Sequence, residues 1–176
     1  MAEHRKALFF GGLALQLVIL LLVPLPKLTA RLTGTPVILK VVPVDPYSIM
    51  SGYYMTLGFE ISQTGRFPPG TDARFSNGET VYAVVKPGPE GCARPLFLAR
   101  KKPDTLADGE VAIKGRMEHG SRVVYGIERF YIPEARRHEI DKAMREKPDA
   151  NRVEILVGPD GTAILQRLLT DTEVFE

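Results

Sequence analysis

The sequence predicts a mainly β fold, antiparallel strands with one soluble α-helix, preceded by one N-terminal transmembrane helix. Three observations predict it. Residues 7–25 form an uncharged run of 19 residues. From Pro36 onward, short β-branched and aromatic runs alternate with Gly/Pro-rich turns. Beyond the anchor, the segment with the charge density and apolar spacing of a soluble helix is Pro133–Lys147. The chain of 176 residues suits one domain plus a short appendage. With 44% hydrophobic and 25% charged residues it falls outside the disordered and collagen-like classes.

The apolar run would span roughly 28 Å as a helix, close to the thickness of a bilayer core. Gln16 is its one strongly polar member, Arg5 and Lys6 precede it, and Lys27 and Arg31 follow it. A short N-terminal tail normally stays in the cytoplasm, so the main domain is expected outside it. The expected division is an anchor at 1–28, a linker at 29–35 and an extracytoplasmic mainly β domain at 36–176. A cleaved signal peptide is the rival reading, with Leu28-Thr29-Ala30 as its processing site. The run exceeds the usual 7–15 residue apolar core of such peptides, and Leu28 is not small, so the uncleaved anchor is preferred.

Charge is unevenly placed. Residues 1–31 carry +3 of the formal net charge of +2, leaving −1 on the rest. A nearly neutral domain argues against nucleic-acid binding. Cys92 is the single cysteine, so no internal disulfide can form and the core must suffice. His4, His119 and His138 show no ligand spacing with it, and neither a metal nor a cofactor is expected.

Strands are expected at Pro36–Val42, Tyr53–Ser62, Thr80–Val85, Pro95–Arg100, Glu110–Met117, Arg122–Ile127, Arg152–Val157 and Thr162–Leu169. In Tyr53–Ser62 a strict period of two sets Met55, Leu57, Phe59 and Ile61 on one face, against Tyr54, Thr56, Gly58 and Glu60. Thr64–Gly78, with Pro68-Pro69-Gly70, reads as the most mobile loop. Pro133 suits the first position of the helix and Glu134 the positive end of its dipole. Ile140, Ala143 and Met144 form its apolar stripe. Gly158-Pro159-Asp160-Gly161 links the last two strands as a hairpin.

No phosphate loop, paired-carboxylate pattern or zinc spacing occurs. Two segments do resemble a known family. Val44-Asp45-Pro46 with Gly52-Tyr53-Tyr54-Met55-Thr56-Leu57-Gly58-Phe59 resembles the signature of the GDYXXLXY family of bacterial membrane-anchored proteins. Tyr125-Gly126-Ile127-Glu128-Arg129-Phe130-Tyr131-Ile132-Pro133-Glu134 resembles that family's second characteristic stretch. Tyr53 stands where the motif has Asp, and Phe59 where it has its last Tyr. The resemblance implies an extracytoplasmic domain expected alongside polytopic membrane proteins, and it supplies no catalytic residues. A fainter similarity links Ser51–Met55 to the β-scaffold of signal peptidases and self-cleaving SOS repressors. Those enzymes pair a Ser nucleophile with a desolvated Lys base. Pro43 and Val44 fall where that serine belongs, and Ser48 with Lys86 would be a displaced dyad.

The expected function is a non-catalytic binding or assembly module, held in the lipid bilayer through residues 7–25 and associating with a polytopic membrane protein. Its candidate surface is Asp45, Pro46, Gly52, Tyr53, Tyr54, Leu57, Phe59, Tyr125, Glu128, Arg129, Tyr131, Pro133 and Glu134. A turn with core strands is the plainer role of these segments. The alternatives are a Ser/Lys peptidase and a carrier of a lipid or pigment, which needs an apolar cavity.

Overall fold

A computed structural model describes residues 2–42, 50–51, 54–68, 75–89, 91–131, 134–171 and 173–175. The N-terminal apolar run is helical, as α1 (Ala2–Leu22) and α2 (Leu25–Thr33). Together they are long and apolar enough to cross a membrane, and none of the most apolar stretch is buried in the protein. Pro24 and Pro26 lack the N–H groups that would reach the carbonyls of Leu20 and Leu22. That loss separates the two helices. Helix persists to Thr33, where a linker was expected from Thr29. The reason is tertiary: Ala30 is buried against Gly158, while the Thr29 and Thr33 hydroxyls donate within the helix to the carbonyls of Leu25 (2.9 Å) and Thr29 (3.0 Å).

The rest is antiparallel β with one further α-helix, on the surface. β1 (Thr35–Val42) pairs with β10 (Arg152–Val157) on one side and β4 (Gly58–Phe59) on the other. β11 (Ala163–Leu169) and β12 (Val174–Phe175) complete a sheet in the order β12-β11-β10-β1-β4. A second sheet runs β6 (Ala93–Ala99), β5 (Thr80–Pro87), β7 (Val111–Glu118), β8 (Arg122–Val124). A third sets β2 (Met50–Ser51), β3 (Tyr54–Thr56) and β9 (Arg129–Tyr131) side by side.

Alternation explains the register. Val37 and Leu39 of β1 face Ile155 and Val153 of β10, and all four are buried. Their side chains join Phe59, Ile113, Met117, Leu168 and Phe175 in one core. α3 (Arg137–Glu146) follows a 3-10 turn at Glu134–Arg136 and buries Ile140 and Met144 against that core. The Asn151 amide donates to the Met144 carbonyl (2.9 Å), tying the end of α3 to the start of β10.

Three expectations change in detail. Tyr53–Ser62 is not one strand: β3 and β4 are followed by a 3-10 turn at Glu60–Ser62, yet Met55, Leu57, Phe59 and Ile61 are all buried. The strand begun at Arg122 stops at Val124, because Gly126 takes a φ of +77° and re-aims the chain into β9 of another sheet. Within the expected loop Thr64–Gly78, Phe67 and Phe75 are buried in the core, and the Arg100 guanidinium lies 5.4 Å over the Phe75 ring.

The β7–β8 connection is three residues long, His119–Ser121, and opens with positive φ at both His119 (51°) and Gly120 (70°), the left-handed pair of a type I′ turn. An L side chain resists that conformation, and Asn tolerates it better than His. Replacement of exposed His119 by Asn should therefore stabilise the domain by about 0.5–1 kcal/mol, read as a higher urea midpoint with an unchanged slope.

Candidate functional site

The two motif segments, whose paired residues lie 73 to 77 positions apart in the chain, meet as neighbouring strands. Tyr54 of β3 lies opposite Tyr131 of β9, Met55 opposite Phe130, and Thr56 opposite Arg129. The pairing continues where β3 ends, with the Leu57 N–H donating to the Glu128 carbonyl at 2.7 Å. Strand alternation then sorts the side chains. Met55 and Phe130 point into the core, while Tyr54, Arg129 and Tyr131 share the outer face.

On that face the Tyr54 and Tyr131 rings are 6.1 Å apart and tilted, and the Arg129 guanidinium lies 5.1 Å over the Tyr54 ring. Tyr131 is 68% exposed, high for a large aromatic side chain. Tyr54 is half-buried and Arg129 exposed. A guanidinium stacked on an aromatic ring is held in place without spending its hydrogen-bond donors. The face can thus offer two phenols, one of them fully presented, and a positioned cation.

The remaining motif residues build what lies beneath. Tyr125 is buried and its hydroxyl donates to the Ile61 carbonyl at 2.6 Å. The Glu128 carboxylate accepts from the Tyr125 N–H at 2.5 Å, closing the turn around Gly126. Leu57 and Phe59 lie in the core, so they hold the sheet together rather than present a surface. Asp45, Pro46, Gly52, Tyr53 and Pro133 lie outside the described residues. Glu134 opens the 3-10 turn before α3.

Burial, and after it the Glu128 charge, push the Tyr125 phenol well above its ordinary value of 10.0. Below that value the phenol is neutral in both folded and unfolded chains, so it adds no pH dependence. Above it the unfolded chain ionises first and holds fewer protons, so stability falls as the pH rises. Tyr125→Phe should remove that alkaline slope. At neutral pH it should cost about 1–2 kcal/mol, because the Ile61 carbonyl loses its donor in a buried place. Urea unfolding of both proteins at neutral pH and above pH 10 checks both effects.

Ser48 of the displaced Ser/Lys pair lies outside the described residues, and Lys86 sits on β5 opposite Arg94. Cys92 is a free, half-buried thiol whose carbonyl closes the β5–β6 turn. Among the described residues no cluster of three or more His, Cys, Asp or Glu could hold a metal ion. A cleft of about 480 Å³ opens beside β4 and the turn that follows it. Its lining sets Phe59 among Ser62, Gln63, Ser121 and Arg122, a mixed rather than an apolar wall. Ser62 is buried, and its hydroxyl has no hydrogen-bond partner among the described residues. No local pattern in the sequence points to this cleft, because Gln63 and Arg122 meet only through a long-range bridge.

No curated protein and no solved structure matches the chain. The family model of GDYXXLXY proteins matches residues 16–168, which include the end of the apolar helix and both motif strands, and the chain belongs to that family.

Proposed function

We propose that the protein is a membrane-anchored assembly or binding module whose extracytoplasmic domain associates with a polytopic membrane protein through Tyr54, Arg129 and Tyr131. The observation that carries this reading is the outer face of the motif sheet. Tyr and Arg dominate binding hot spots, and here two Tyr and one Arg are stacked together, with Tyr131 turned to solvent. The apolar helix supports it from a second side. It holds the domain at a bilayer, where a membrane protein is the partner at highest local concentration. The N-terminus is cytoplasmic in this reading.

The test is affinity purification of the full-length protein from its native membranes in mild detergent, with mass spectrometry of the eluate and of the protein's own N-terminus. The expected result is a stoichiometric polytopic partner and an intact anchor. Arg129→Ala with Tyr131→Ala should reduce the captured partner about thirtyfold, the scale of a hot-spot loss, with an unchanged melting temperature. Recovery of the protein alone, cut after Ala30, overturns the proposal.

A further inference from the structure

α2 has three distinct sides. Ala30 is fully buried, packed where a Cβ added to Gly158 would lie 3.1 Å from its own Cβ. That side docks on the β10–β11 hairpin. Leu25, Leu28 and Leu32 fall at i, i+3 and i+7, on the side turned away from Ala30. They are 44%, 49% and 74% exposed, an apolar stripe that the domain does not cover. Lys27 and Arg31, at i and i+4, form a basic edge beside that stripe. Next to the docked hairpin, the Lys102 ammonium donates to the Pro159 carbonyl at 2.6 Å. Asp160 is the acid of the same turn, and its carboxylate is taken up by the Thr162 N–H (3.0 Å) and hydroxyl (2.6 Å).

Distance adds a bound. Ala30 lies five residues beyond Leu25, a rise of roughly 8 Å at most along the helix axis. The headgroup layer is roughly 5–8 Å thick on each side of a bilayer. The docking point therefore sits at headgroup height if α2 stands upright, and any bend at Pro24 and Pro26 lowers it. At that height lipid would cover the three leucines, and phosphates would lie within reach of the neighbouring cations.

We propose that α2 is an interfacial helix that seats the domain on an anionic bilayer surface. Leu25, Leu28 and Leu32 enter the boundary between headgroups and acyl chains. Lys27 and Arg31 hold lipid phosphates, and Ala30 clamps the hairpin to the same helix through Gly158. This rests on the membrane anchoring proposed above, and it adds that the domain lies flush on the lipid instead of swinging on a tether.

The test uses the full-length protein with Cys92→Ser, reconstituted into nanodiscs of phosphatidylcholine alone or in equal parts with phosphatidylglycerol. Single cysteines at Leu15→Cys, Leu32→Cys and Lys142→Cys carry a fluorophore, read against brominated lipids and aqueous iodide. At 32, lipids brominated near the headgroup end should quench and iodide should not. At 142, on the exposed face of α3, the pattern should invert. Lys27→Glu with Arg31→Glu should lower the docked-to-free ratio about fivefold per residue in the phosphatidylglycerol discs. In pure phosphatidylcholine the same change should have little effect. Iodide quenching at 32 equal to that at 142, with 15 still in lipid, overturns this proposal and leaves the anchor standing. Shielding of 32 from both quenchers means a protein occupant and also overturns it. A probe at 15 outside the lipid overturns the anchor as well.

Discussion

Phe59→Ala should lower the stability of the domain by about 3–5 kcal/mol, the cost of emptying a large aromatic site that cannot collapse. Phe59 has no exposed surface and is among the largest fully buried side chains. Its strand β4 is two residues long and pairs with β1 through Val41 and Val42. The four residues before β4 are β3 of the motif sheet (Tyr54–Thr56) and Leu57, so the ring anchors the point where the chain passes between sheets. A cavity there removes packing from both. Thermal unfolding in detergent should show a fall of about 10 °C for a domain of this size. Tyr131→Ala, on the exposed face above, should shift stability by less than about 0.5 kcal/mol. That pair of results separates the motif residues that make the fold from those that make the surface. A loss below about 1 kcal/mol for Phe59→Ala would place the core's critical contacts elsewhere.

The period-two pattern in Tyr53–Ser62 was legible because burial enforces it: a slip of one residue would turn Met55, Leu57, Phe59 and Ile61 to solvent together. The same pattern does not encode pairing. The broken ladder after Thr56, with the switch from β3 to β4, follows from partners supplied by β9 and β1, which are distant in sequence. The terminal hairpin was readable from Gly158-Pro159-Asp160-Gly161, since Gly161 takes a φ of +88° that other residues resist. The helix at Leu25–Thr33, which runs into the linker expected from Thr29, was harder. The proline at Pro26 and the threonines at Thr29 and Thr33 argue against helix by propensity, and docking of Ala30 on Gly158 overrides that argument. The site was half legible. Tyr54, Arg129 and Tyr131 were chosen as motif residues, but their stacking depends on a register between strands 73 to 77 residues apart. The mixed cleft at Ser62 and Arg122 had no local signal at all.

Gly115→Val should destabilise the domain by at least about 3 kcal/mol, at or beyond the upper end of ordinary overpacking costs. Glycine inside a strand normally weakens it, so its presence on central strand β7 asks for a close approach. The approach is that of the motif. A Cβ at Gly115 would lie 2.5 Å from Val123 Cγ1 and 3.0 Å and 3.1 Å from Tyr125 Cδ1 and Cε1. Val123 is fully buried and Tyr125 nearly so, and neither has free space to retreat into. Tyr125 is also held at both ends, by its hydroxyl on Ile61 and its N–H on Glu128. Moving the ring strains the Gly126 turn that delivers Arg129 and Tyr131 to the outer face. Gly115→Ala should therefore lose part of the partner capture along with stability, although position 115 is buried and touches no partner. Val123→Ala added to Gly115→Ala should recover part of the loss, because it removes the nearest clash. Tyr131→Ala added to Gly115→Ala should be additive in stability. A double variant with Val123→Ala that is worse than the sum of its parts would mean that Gly115 is required for backbone reasons, not for the seat of Tyr125.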